Sequence, residues 1–121
     1  MGIYQMRADL AKALAHPLRL EILDMLLAEG EECVCDIAEK VQARQPAVSK
    51  HLGILRDAGI LDSRKDGLMV FYRVRMPCIQ GFFHCLDRVL EEDLSRRQAH
   101  LEEAISGEQS TGGSSKKEKS R

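Results

Sequence analysis

The 121-residue sequence predicts a mostly α-helical domain carrying one small β-hairpin, on three observations. Apolar residues recur at helical spacing in five stretches. A glycine-containing turn, Asp66-Gly67, separates two short strand-like runs. The composition is 44% apolar and 31% charged, with 4% aromatics and no Trp, which describes a folded domain with an aliphatic core.

Met6, Leu10, Ala13 and Leu14 share one face of a first helix within residues 6–15. His16 precedes a proline and so avoids the α region, which ends that helix. Pro17 opens the second helix as its first residue. Leu18, Ile22, Leu23, Leu26 and Leu27 form its stripe, up to Gly30. Glu31 to Asp36 reads as a connector into a short helix, with Asp36 and Glu39 spaced as a capping box. Val34, Ile37, Ala38 and Val41 supply that helix's buried face. After a tight break at Ala43 to Gln45, Pro46 suits a helix start, and Val48, Leu52 and Leu55 face inward until Gly59. Ile60 to Lys65 and Met69 to Val74 are the hairpin strands. Pro77 starts a long helix through about residue 105, striped by Ile79, Phe82, Phe83, Leu86, Val89, Leu90, Leu94 and Leu101. Residues 1–106 are thus expected to fold, and 107–121 to form a disordered basic tail rich in Gly, Ser and Lys.

Short helix, tight turn and polar-faced helix, in that order, make a helix-turn-helix, and the hairpin that follows makes a wing. Charge agrees with this. The chain is net −1, but residues 42–75 are net +4 between segments of net −4 and −3. A basic middle between acidic flanks is the footprint of a surface that meets phosphate. On the helix from residue 45 to 57, Gln45 and Ser49 share an outward face. Gln bonds adenine bidentately and Ser either donates or accepts. Arg44, Lys50 and His51 reach toward phosphate, and Arg56 also points outward. Arg64, Lys65 and Arg73 bracket the hairpin turn and set cations beside a groove. Double-stranded DNA is the partner this pattern fits. No Ser/His/Asp set, phosphate loop or isolated carboxylate pair points to an enzyme. No stretch approaches the roughly 18 apolar residues of a membrane span, and no signal pattern opens the chain. A cytoplasmic setting is expected, where four cysteines serve as reactive or metal-binding thiols rather than disulfides.

Residues 8–75 resemble the ArsR/SmtB family of winged-helix metal-responsive repressors. The resemblance is carried by Ala13-Leu14-Ala15-His16-Pro17-Leu18-Arg19-Leu20-Glu21-Ile22-Leu23, then Gln45-Pro46-Ala47-Val48-Ser49-Lys50-His51-Leu52, then Leu55-Arg56-Asp57-Ala58-Gly59-Ile60-Leu61. The wing pieces Arg64-Lys65-Asp66-Gly67 and Phe71-Tyr72-Arg73-Val74 complete it. It implies a homodimer built from the first and last helices. It also implies a palindromic operator whose half-sites lie about 34–36 Å apart. The last helix carries more apolar stripe than one small domain buries, in keeping with a dimer.

Cys33 and Cys35 are one residue apart, flanked by Glu32 and Asp36. Thiols at a helix N-terminus are pushed toward thiolate by the dipole, while acidic neighbours oppose it. Thiolates select soft ions over Mg²⁺ or Ca²⁺. The segment Glu32-Cys33-Val34-Cys35-Asp36-Ile37 is similar to the inducer box of the family's arsenical repressors and cadmium/lead sensors. The arsenical version has a third cysteine where this chain has Ala38. Cys78 and Cys85 are the remaining candidates; two turns apart on one helix, they are separated by roughly 10 Å, so at most one joins the pair. The family's other common site, along the last helix, is broken here by Met76 and Val89. The expectation is a repressor released by As(III) or Sb(III). Alternatives are Cd(II), Pb(II) or Zn(II) on four thiolates, or a disulfide switch between Cys33/Cys35 and Cys78/Cys85.

Overall fold

The computed structural model describes residues 2–107. Its order is α1 (Ile3–Leu14), α2 (Pro17–Glu29), β1 (Glu32–Cys33), α3 (Val34–Val41), α4 (Gln45–Asp57), β2 (Leu61–Asp66), β3 (Met69–Val74) and α5 (Ile79–Gly107). The expected mostly α-helical winged helix-turn-helix is this fold. The described residues form two compact units, one through Phe83 and one from His84. The expected basic tail begins at Gly107, inside the last turn of α5, and otherwise lies outside the described residues.

In the first unit, Ile22, Leu23, Leu26, Ile37, Val48, Leu52, Leu55, Ile60 and Leu61 are fully buried. They are the inward stripes of α2, α3 and α4, closed by Ile60 and by Leu61, the first residue of β2. Tyr72 and Ile79 extend this core from the sheet and the start of α5. Helix α2 starts on His16, whose Nδ1 accepts from the Leu18 N–H at 3.1 Å. Pro17 follows at the position where its missing N–H costs no bond.

Helix α3 starts two residues before the expected capping box. Its N-cap is Cys33, without a side-chain bond, and Asp36 sits in its first turn. The cause is β1, a strand the periodicity did not disclose. Glu32 pairs with Tyr72 and Cys33 with Phe71, giving a three-stranded antiparallel sheet ordered β1-β3-β2. The chain leaves this pairing straight into the helix.

The α3–α4 turn is three residues, Gln42 to Arg44. Gln42 takes the left-handed conformation (φ 56°, ψ 50°), and the Ala43 N–H returns to the Ala38 carbonyl at 3.0 Å. The hairpin loop is Gly67-Leu68, one residue later than Asp66-Gly67, because Asp66 pairs with Met69. Gly67 has φ 66° and Leu68 a negative φ, as in a type II′ turn. Pro77 lies in a turn whose i to i+3 bonds lead into α5 at Ile79, two residues later than expected.

The second unit is helical from His84 to Gly107, within α5. Val89, Leu90, Leu94, Leu101 and Ile105 are exposed along it. On α1, Ile3, Tyr4 and Met6 are exposed. No helix of the described residues is long and apolar enough to cross a membrane.

Candidate DNA interface and thiol site

Val48, Leu52 and Leu55 hold α4 in the core by one face, and Gln45, Ser49, Lys50 and Arg56 stand exposed on the other. Arg44 is its N-cap, so Arg44 and Gln45 project at the end where backbone N–H groups are free. His51 is half-buried. Its Nδ1 accepts from Arg19 Nε at 3.1 Å, and its ring lies 4.3 Å from that of His16. Burial, reinforced by the positive fields of His16, Arg19 and Lys50, pushes the His51 pKa below 6.5. His51 is therefore neutral near pH 7 and serves the α2–α4 contact.

The expected cations divide into two groups. Arg64 donates to both Glu31 carboxylate oxygens at 2.9 Å, lies 3.7 Å from Asp66, and stacks 4.7 Å from the Phe71 ring centre. This bidentate pair lowers the Glu31 pKa and raises that of Arg64. Arg73 pairs with Asp62 at 3.2 Å and Arg56 with Asp57 at 3.3 Å. Arg44, Lys50 and Lys65 carry no ion pair among the described residues. The Arg56 and Arg73 pairs are exposed and worth little in water.

Cys33 is buried at 3% exposure, while Cys35 is exposed one residue into α3. Their sulfurs are 3.0 Å apart. Two metal–sulfur bonds of about 2.3 Å span up to roughly 4.6 Å, so both thiols can reach one ion. The Asp36 carboxylate completes the group, with all three donor atoms within 4.8 Å of one another. Glu32, the other acidic neighbour, is taken by Lys40 at 3.1 Å. The Cys33 pKa is raised: the Cys35 hydrogen bond, burial and the Asp36 charge together outweigh the lowering by the Asp36 N–H. The helix terminus alone thus does not make Cys33 a thiolate.

Cys78 is exposed in the turn before α5 and lies outside this group; Cys85 is exposed in the second unit. Asp36 as a donor went unread in the sequence, although its place directly after the pair was a signal. The Arg19–His51 bond left no signal, being a contact across 32 residues.

A cleft of about 210 Å³ joins the two sites. Cys33, Val34 and Cys35 line one side, Gln45 and Ser49 another, and Leu68, Met69 and Val70 the third.

A helix-turn-helix followed by a cationic wing defines a DNA-binding regulator of the winged-helix class. The chain belongs to the arsR family of bacterial regulatory proteins, whose model matches residues 16–63. It is a transcriptional regulator and not an enzyme. A helix-turn-helix transcriptional regulator of Methanocaldococcus jannaschii is 42% identical over 74 residues, 61% of this chain and 83% of that one. The arsenical resistance operon repressor of Escherichia coli is 45% identical over 66 residues, 54% of this chain and 56% of the repressor. The structure of Rv0081 from Mycobacterium tuberculosis matches with a TM-score of 0.70 at 33% identity, covering 80% of this chain and 97% of that one. A homodimeric winged helix-turn-helix DNA-binding domain from Mycobacterium bovis matches at 0.64 and 31%, covering 74% and 82%. The antimony-specific transcriptional repressor AntR matches at 0.63 and 34%, covering 71% and 78%.

Proposed function

We propose that this chain is a cytoplasmic, dimeric repressor that holds a palindromic operator and releases it when As(III) or Sb(III) binds Cys33 and Cys35. The observation that carries the reading is the shared cleft: the thiol pair and the base-reading candidates Gln45 and Ser49 line one space. Cys33 is both the end of β1 and the N-cap of α3. One atom bound to both thiols therefore acts directly on the joint between the wing sheet and the helix that supports α4. Only a difference in affinity between the two states shifts the equilibrium, and a coupling of about 1–3 kcal/mol is typical.

The relatives support the inducer class, since one is an arsenical and another an antimony repressor. Asp36, or Cys78 from the same compact unit, supplies the third donor. In this reading Arg44, Lys50 and Lys65 meet phosphate directly, and Arg56, Arg64 and Arg73 do so by exchanging their carboxylate partners. Exposed apolar residues on α1 and α5 support dimerisation, as in the homodimeric M. bovis neighbour. The Asp36 oxygen favours a second reading, in which the inducer is Cd(II), Pb(II) or Zn(II), since divalent ions accept carboxylate donors.

The test is fluorescence anisotropy of DNA from the gene's own upstream region. Cys33→Ser should bind DNA within about two-fold of the parent and need at least a hundred-fold more arsenite for release. Normal arsenite release by that variant would overturn the site. Release of the parent by cadmium and not by arsenite would select the second reading.

A further inference from the structure

We propose that the cleft takes a mono-organic trivalent arsenical, a carbon-substituted As(III), in preference to inorganic arsenite. The proposal rests on the reading that Cys33 and Cys35 hold the inducer. Trivalent arsenic makes three bonds, and the donor group offers two sulfurs, 3.0 Å apart. Its third member is the Asp36 carboxylate, a hard oxygen donor poorly matched to a soft centre. Cys78, in the same compact unit, lies outside the group. An arsenic atom that already bears one carbon needs two thiolates and no third cysteine.

One wall of the cleft is suited to that carbon substituent. Val34, Leu68, Met69 and Val70 wall it opposite the polar Gln45 and Ser49. Leu68 is fully exposed at 101% and Met69 exposed at 42%, so two large apolar side chains stand at the mouth without cover. They follow a strand whose outer half, Arg64, Lys65 and Asp66, is exposed. The cleft is open to solvent, and its volume, about 210 Å³, exceeds the roughly 150 Å³ cavity that accepts benzene, so it has room for a phenyl ring.

The reaction is an exchange. In R–As(OH)₂, two As–O bonds break and two As–S bonds form. The two thiol protons leave with the hydroxyls as two waters. Arsenic stays trivalent, and no oxidant or reductant takes part.

The experiment uses the reduced 121-residue chain, with phenylarsonous acid, C₆H₅As(OH)₂, and arsenite as probes. Each is titrated in competition with the same small dithiol, and adducts are counted by intact mass. The expected result is one phenylarsenic per chain with two thiols consumed, bound at least about ten-fold more tightly than arsenite. Cys78→Ser/Cys85→Ser should keep phenylarsenic binding within about two-fold. Leu68→Ser/Met69→Ser should weaken phenylarsenic about ten-fold, the effect of exposing part of an apolar ligand, and leave arsenite within about two-fold. Equal or tighter binding of arsenite, or equal weakening of both probes by the Leu68/Met69 variant, would overturn the preference while leaving the thiol site standing. Unaltered binding of both probes by Cys33→Ser would remove the thiol site itself, and the preference with it.

Discussion

Arg19 ties three helices together. Its guanidinium donates to the Lys12 and Ala13 carbonyls at the end of α1, at 3.3 and 3.1 Å, and to His51 Nδ1 on α4. The acceptor role requires a neutral His51, so protonation breaks this link and sets a new cation beside Arg19 and Lys50. Because the folded pKa is depressed, the unfolded chain binds the proton first. The stabilisation is complete above about pH 6.5 and is lost as pH falls from there through the folded value. Urea midpoints measured from pH 7.5 to 5.5 should fall more for the parent than for His51→Gln, which accepts through Oε1 and does not titrate. A parallel fall in both proteins would remove His51 from the account. At the reading face, Gln45→Ala should cost specific operator affinity about 1–3 kcal/mol, leaving non-specific binding nearly unchanged. Anisotropy with matched and scrambled duplexes measures both.

Gly67 allows the wing to close, and it shows what a whole element asks of one position. Its φ is 66°, and no atom lies within 4 Å of the point a Cβ would occupy, so any penalty there is backbone conformation alone. Gly67→Ala should destabilise the chain by about 1–3 kcal/mol, read from urea unfolding, with the loss centred on hydrogen-exchange protection in β2 and β3. Elements of this kind were legible in the sequence where their signal is local. The stripe of Val48, Leu52 and Leu55 located α4, and Gly67 announced the hairpin. Strand β1 was not legible, because two residues have no period and its existence consists of pairing with Phe71 and Tyr72, some 40 residues on. That pairing moved the start of α3 to Val34 and so made Cys33 its N-cap. The thiol pair was legible from spacing alone. Its nearness to Gln45 and Ser49 was not, since it arises from the packing of α3 against both α4 and β3. The ion pair of Arg64 with Glu31 was hidden too, because it depends on β1 and β2 flanking β3.

For the whole molecule, exposed apolar residues are the open question the fold poses. Val89, Leu90, Leu94, Leu101 and Ile105 are exposed along α5, and Ile3 and Met6 along α1; large apolar side chains grouped on one element in this way mark protein–protein contacts. A second copy covering these faces would place two α4 helices on one duplex, with half-sites about 34–36 Å apart. The second half-site then binds from an effective concentration in the millimolar range, so most of the operator affinity depends on the dimer. Leu94→Glu puts a carboxylate into the middle of the α5 stripe without touching α4, the wing or the cysteines. The variant should sediment as a monomer at micromolar concentration. It should bind a full palindrome about 10²–10⁴-fold more weakly, while binding an isolated half-site as the parent chain does. A half-site loss of the same size would mean that Leu94 acts on the reading head itself. A variant that stays dimeric would move the interface off this stripe and leave the exposed leucines of α5 to another partner.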